Sequence, residues 1–152
     1  MRDVYIIFMQ RERDDSAEFW WRNEPWVHKV FGDGASAYEH LEAIGFIEEF
    51  ETCGDGHIEP TGNWRRELPE NHALYLDGQV LTDGIIAWVQ REVVCDGYRY
   101  GIDPRGIERA YRDFEASVEE QGGFNYGEAS IIGEFIRFIE EGRFYLDPRD
   151  ND

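Results

Sequence analysis

The sequence is poor in lysine, in cysteine and in long apolar runs, and each shortage excludes a class of protein. One of its 15 basic residues is a lysine, Lys29, whereas 33 residues are acidic, so the formal net charge is −18. Binding to nucleic acid depends on cations that neutralise phosphates, so we expect no direct contact with nucleic acid. The same charge disfavours an anionic membrane surface. No apolar run approaches the roughly 18 residues that a membrane span needs.

The N-terminal residues show no basic stretch followed by a long apolar segment, so we expect no secretory signal. The two cysteines, Cys53 and Cys95, are too few for a disulfide framework. We therefore expect a cytoplasmic protein, which would lie in the host cytoplasm if a virus encodes it. A hydrophobic fraction of 41% in 152 residues is sufficient for a compact core, and an aromatic fraction of 15% argues against extended disorder.

Short apolar segments separated by turn residues predict the strands and the first helix. Residues 4–9, 26–31 and 85–94 have the composition of strands, and Asp77-Gly78 is a turn between two shorter ones. A helix is predicted over residues 35–46, with Asp33 or Ser36 as its cap. Residues 47–51 either continue this helix or begin an extended segment. The polar stretch over residues 54–71 predicts a long surface loop.

The C-terminal third predicts two helices. Asp103-Pro104 is typical of a helix start, and an apolar stripe follows it at helical spacing. The second helix is predicted over residues 127–141. The fold class is therefore α+β: a small, mainly antiparallel sheet with one packed helix, followed by a C-terminal helical hairpin. We expect a sheet domain over residues 1–97 and a hairpin with an acidic tail over residues 98–152, or one continuous core.

Few residues have the spacing of known catalytic or metal sites. The chain contains neither a phosphate-binding glycine loop nor a serine nucleophile elbow. Cys53, His57, His72 and Cys95 are zinc-type ligands, but they do not form the two close pairs that structural zinc sites use. We therefore predict no metal and no cofactor.

The remaining histidines, His28 and His40, are interpreted as structural or surface residues. Because no catalytic constellation is visible, we expect a protein that is not an enzyme. A metal-dependent or hydrolytic enzyme is an alternative.

The predicted C-terminal helices carry glutamates beside their apolar stripes. Residues three or four apart on a helix lie about 5–6 Å from each other, so rows of carboxylates can imitate part of a DNA phosphate array. The leading hypothesis is a non-enzymatic, DNA-mimic-like binding protein, encoded by a virus or mobile element. It would engage or inhibit a basic nucleic-acid-handling host protein, such as a restriction or CRISPR effector. Arginines interrupt the acidic rows and weaken this interpretation. The predicted binding residues are Glu115, Glu119, Glu120, Glu134, Glu140, Glu141, Trp20, Trp21 and Trp26.

The three tryptophans of this set would be apolar anchors if they are exposed, as interface tryptophans often are. Burial over the open face of the sheet is the alternative. A second functional hypothesis is a structural or assembly protein of a virion or complex from a high-salt environment. Its acidity would then be an adaptation to salt.

Overall fold

The computed structural model describes residues 2–12, 25–69, 72–82, 84–94, 104–120 and 135–136. Seven strands and two long helices lie in this part of the chain. Their bounds are β1 Arg2–Arg11, β2 Trp26–Phe31, α1 Gly34–Ala43, β3 Ile47–Thr52, β4 Ile58–Arg66, β5 Leu74–Leu76, β6 Gln79–Leu81, β7 Ile85–Val94 and α2 Pro104–Glu120.

Five of the strands form one sheet in the order β2-β1-β7-β4-β3, and every neighbouring pair is antiparallel. This confirms the predicted α+β class with a mainly antiparallel sheet. Strands β5 and β6 form a separate hairpin. The two strands are joined by the predicted turn Asp77-Gly78. The φ angles of these residues, 52° and 77°, are those of a tight two-residue hairpin turn.

Strand β1 lies inside the sheet, and both of its faces are buried. Side chains of a strand alternate between the two faces, which explains why residues 4–9 are apolar without interruption. Val4, Ile6 and Phe8 belong to one core cluster, together with Ile107, Ala110 and Phe114 of α2. Ile7 and Met9 belong to a second cluster, together with Ala37 and Leu41 of α1 and with Trp64 and Ala87 of the sheet.

The sheet therefore has a helix on each face, because α2, the first helix of the predicted C-terminal hairpin, packs against it. Of the predicted second helix of that hairpin, only residues 135–136 are described, and they are helical. Phe135 is 1% exposed and packs in the same cluster as α2. The predicted domain boundary at residue 97 falls outside the described residues, so the division stays a prediction. No helix in the described part of the chain has the length and apolar character to cross a membrane.

Both ends of α1 follow from local chemistry. The Asp33 carboxylate accepts from the Ser36 amide at 2.7 Å, which confirms Asp33 as the cap. At the other end, Gly45 has a φ of +93°, and the Phe46 amide donates to the Leu41 carbonyl at 2.9 Å. This left-handed glycine ends the helix at Ala43, so residues 47–51 form a strand instead of continuing it.

The predicted surface loop over residues 54–71 is wrong for its central part, which is strand β4. Its polar residues are compatible with a strand because Trp64 supplies the buried contact, at 4% exposure, and pairs with Ala87 of β7. The turn-like residues Pro60 and Gly62 are tolerated near an irregularity in the β3–β4 register, where Gly62 has a φ of +89°.

Candidate functional site

A cleft of about 320 Å³ lies between α2, β2 and the β5–β6 turn, and two of the predicted binding residues line it. Glu115 is exposed on α2 at the cleft. Arg112 lies in the same lining, and Arg105 and Arg109 are also exposed on this helix. The described surface of α2 is thus a mixture of both charges. It is not the continuous row of carboxylates that a close imitation of DNA requires.

Trp26 lines the cleft but is only 5% exposed, and it belongs to the core cluster on the α1 side. Its indole Nε1 donates to Asp77 Oδ2 at 2.9 Å, which satisfies its polar atom. Trp26 therefore lacks the exposure on which its predicted role as an anchor depended. Trp26 is instead buried against the sheet, as the alternative interpretation expected.

The other seven predicted binding residues lie in the last turn of α2 or outside the described residues. Glu119 and Glu120 lie in the last turn of α2. Trp20, Trp21, Glu134, Glu140 and Glu141 lie outside the described residues. Their role stays a prediction.

Three polar side chains form a chain of hydrogen bonds beside the cleft. His28 Nδ1 lies 2.6 Å from Asp77 Oδ2, and His28 Nε2 lies 2.9 Å from His40 Nε2. The histidine rings are stacked, with their centroids 5.1 Å apart. Burial lowers the pKa of His40, and the nearby side chains of His28 and Lys29 lower it further, while the Asp77 carboxylate opposes this shift. Both nitrogens of His28 are occupied, so this arrangement leaves none of them to take a proton from a substrate.

Tyr111 closes the cleft from α2. Burial and the neighbouring Glu115 carboxylate, to which the Tyr111 hydroxyl donates, raise the pKa of Tyr111, and a hydrogen bond accepted from the Val27 backbone amide opposes this shift. The hydroxyl therefore stays protonated and acts as a hydrogen-bond donor. Together with the chain from Asp77 to His40, it makes the cleft a bonded network between α2, β2 and the β5–β6 turn.

The outer strand of the sheet, β3, presents a different kind of surface. Among the described residues it pairs with β4 alone, so its other edge is open. Ile47 and Phe50 are 75% and 55% exposed on it. At the opposite edge of the sheet, by contrast, the Val30 amide of β2 donates to Glu108 of α2 at 3.1 Å.

A depression of about 420 Å³ adjoins this open edge. It is lined by Gly45, Ile47, Glu48, Glu49, Arg65 and Glu67. We call β3 together with this depression the acidic edge. In the described part of the chain it combines an unpaired strand edge, exposed apolar side chains and four carboxylates.

The single arginine of this lining is already engaged. Arg65 pairs with Glu49, at 3.1 Å, and with Glu12. Within the described part of the chain, Glu48, Glu51 and Glu67 form no ion pair. The acidic edge thus keeps negative charge that can attract a cation from another molecule.

The tip of the β3–β4 hairpin gathers three potential metal ligands. The ligand atoms of Cys53, His57 and Glu59 all lie within 4.8 Å of one another. The hydrogen bond from His57, followed by that from Cys53, lowers the pKa of Glu59. The hydrogen bond to Glu59 in turn raises the pKa of the Cys53 thiol. Of the other two residues weighed for zinc, His72 is not part of this group and Cys95 lies outside the described residues.

Comparisons with protein-family models, with curated proteins and with solved structures found no match to this chain.

The sequence interpretation missed Ile47, Glu48 and Glu67 as surface residues of interest. Their importance depends on β3 being an edge strand, which follows only when residues 58–66 are known to be β4. The apolar residues Ile47 and Phe50 in an otherwise acidic segment were the available signal in the sequence. Isolated apolar residues of this kind are common on protein surfaces, so the signal alone is weak.

Proposed function

We propose that the protein is a non-enzymatic acidic binding protein that engages a basic segment of a nucleic-acid-handling protein. The observation that carries this proposal is the acidic edge, where, among the described residues, an open strand edge, exposed apolar side chains and glutamates without an ion pair (Glu48, Glu51 and Glu67) occur together. Proteins that handle nucleic acid are rich in the arginine and lysine that such a surface attracts. Effectors of restriction or CRISPR systems are examples of the partner class.

The open edge of β3 favours recognition by strand addition. An extended segment that pairs with a free edge gains main-chain hydrogen bonds, and its alternate side chains select the site. Ile47 and Phe50 would supply apolar contacts to such a segment. Glu48 and Glu51 would supply the charge that selects a basic segment over an acidic one.

The depression favours arginine as the inserted side chain. The aliphatic part of an arginine can pack on Ile47, while its planar guanidinium meets two carboxylates at once. Glu48 and Glu67 are the acceptors in this proposal, because Glu49 is already paired with Arg65. The glutamates of the C-terminal helices, including Glu115, would add long-range attraction that speeds association.

The test is a binding titration with a peptide of alternating arginine and valine, as long as β3. The variant Glu48→Lys with Glu67→Lys alters the acidic edge. The control, Glu39→Lys with Glu42→Lys, alters two exposed glutamates of α1 and gives the same net charge of −14, four units above −18. We expect the edge variant to bind at least about tenfold more weakly, equivalent to about 1.4 kcal/mol, and the control to change much less.

Equal weakening in the two variants would show that general charge attraction, rather than the acidic edge, holds the peptide. A version of the peptide with central prolines tests strand addition, because proline removes the amide donors that pairing needs. Undiminished binding of that version would contradict the strand geometry. The partner class is tested separately, by measuring whether the protein displaces duplex DNA from purified restriction and CRISPR effectors. If it displaces DNA from none of them, this choice of partner is wrong.

A further inference from the structure

We propose that Cys53, His57 and Glu59 bind one zinc-class divalent metal ion at the tip of the β3–β4 hairpin. The set offers a sulfur, a nitrogen and an oxygen ligand within 4.8 Å of one another. Zinc accepts all three ligand types and commonly takes three protein ligands with a fourth position open to water. The thiolate and imidazole argue against magnesium and calcium, which prefer oxygen ligands.

The backbone of the hairpin holds the three residues in place. The Cys53 amide donates to the His57 carbonyl at 2.8 Å, and the Gly56 amide donates to the Cys53 carbonyl at 2.9 Å. Gly56 has a φ of +90°, a conformation that favours glycine at this position of the turn. The turn therefore brings Cys53 and His57 together, and Glu59 follows two residues later at the start of β4.

The ligand atoms of the three side chains already converge on one point. His57 Nε2 lies 2.5 Å from Glu59 Oε1, and the Cys53 thiol is hydrogen-bonded to the same glutamate. Zinc bonds of about 2.0–2.3 Å place neighbouring ligands roughly 3.3–3.7 Å apart in a tetrahedron. Side-chain rotations at this exposed turn can supply the adjustment, and the ion would replace the protons that now join the ligands.

Asp55 acts as a positioning residue for His57. Its carboxylate contacts His57 Nδ1 and also accepts from the His57 amide at 3.3 Å. Histidines that bind metals usually donate their second ring nitrogen to a carboxylate, which fixes the tautomer and the orientation of the ring. Here this leaves Nε2, the nitrogen nearest Glu59, for the metal.

The test is a titration of the reduced, full-length chain with Co²⁺, followed by displacement with Zn²⁺. We expect one Co²⁺ per chain with the near-ultraviolet absorption of a cobalt–thiolate bond, and we expect Zn²⁺ to remove that absorption. Cys53→Ser should abolish it, whereas the matched control Cys95→Ser should keep it. This absorption distinguishes the proposed site from loose association of the cation with other carboxylates.

Two further variants test the roles of Asp55 and His57. Asp55→Asn should weaken metal binding about 10- to 100-fold, the usual effect of losing an outer carboxylate. His57→Gln should remove the site, whereas His72→Gln should leave it intact. Zn²⁺ should also raise the melting temperature of the wild type but not of Cys53→Ser, because a metal that binds only the folded state stabilises it.

The proposal is overturned if the wild type shows no cobalt–thiolate absorption, or if Cys53→Ser retains it. Unchanged affinity in Asp55→Asn would overturn the positioning role of Asp55. Circular dichroism checks that each variant is folded. We expect the Cys53, Asp55 and His57 variants to fold, because these side chains lie on an exposed turn. None of these results depends on the proposed binding of a basic segment.

Discussion

His28 and His40 face each other through their Nε2 atoms, at 2.9 Å, across the space between β2 and α1. The Asp77 carboxylate accepts from His28 Nδ1, which leaves the neutral His28 ring with an acceptor at Nε2. His40 Nε2 is therefore the donor of this bond. Only one proton fits between the two nitrogens, so the contact is incompatible with full protonation of both rings.

The first prediction concerns the pH dependence of stability. Because the pKa of His40 is lowered in the folded state, the unfolded chain binds more protons near and below the ordinary histidine pKa of about 6.5. The stability contribution is complete above this pH and is lost as the pH falls below it. We expect urea denaturation to show a lower free energy of unfolding at pH 5.5 than at pH 7.5.

The variant His40→Gln should reduce this loss between pH 7.5 and pH 5.5. The control is His72→Gln, which alters an exposed histidine on another segment and should keep the wild-type dependence. If His40→Gln loses as much free energy of unfolding between pH 7.5 and pH 5.5 as the wild type does, other groups cause the pH dependence.

The second prediction concerns Asp77, which accepts hydrogen bonds from both Trp26 and His28. Asp77→Gly removes both acceptor bonds while permitting the φ of 52° at this position. Because the buried indole N–H then lacks its partner, we expect a loss of about 1–3 kcal/mol in the free energy of unfolding. Asp77→Asn tolerates the same backbone conformation and keeps one carbonyl acceptor, so it should lose less. Equal losses would contradict the role given to the acceptor oxygen.

The third prediction tests whether both faces of the sheet are covered. Ile6 and Ile7 are neighbours on β1, each is 0% exposed, and they belong to different core clusters. Ile6→Ala and Ile7→Ala should each lower the free energy of unfolding by about 2–5 kcal/mol in urea denaturation. Ile47→Ala, at a side chain 75% exposed, should change it by less than about 0.5 kcal/mol. A small effect at either buried position would mean that its face is open to solvent.

Local signals were sufficient to predict the strands and turns with strong apolar or glycine patterns. The apolar run of β1, the Asp77-Gly78 turn and the Asp33 cap each depend on residues close in sequence, and each is confirmed. Strand β4 was missed because its buried contact is a single tryptophan. Its pairing with β7 joins residues 19 to 25 positions apart.

The candidate sites show the same division between local and distant contacts. Cys53 and His57 were already paired as ligands by their spacing, but Glu59 joins them only when the chain folds into a hairpin. Asp77 meets His28 across 49 positions of sequence, through a β5–β6 hairpin that packs beside the sheet. Arg11 of β1 contributes to that placement by donating to the Val80 carbonyl at 2.9 Å. No periodicity in the sequence indicates such a meeting.

The inner position of β1 also determines when the protein can complete its core during synthesis. Met9 pairs with Ala87 of β7, and at about 5–20 residues per second the roughly 80 residues between them take about 4–16 s to translate. Throughout that interval the most apolar segment of the chain lacks one of its two neighbours. Pairing over such a distance also slows folding itself. The apolar side chains of β1 therefore remain partly uncovered until translation has passed β7.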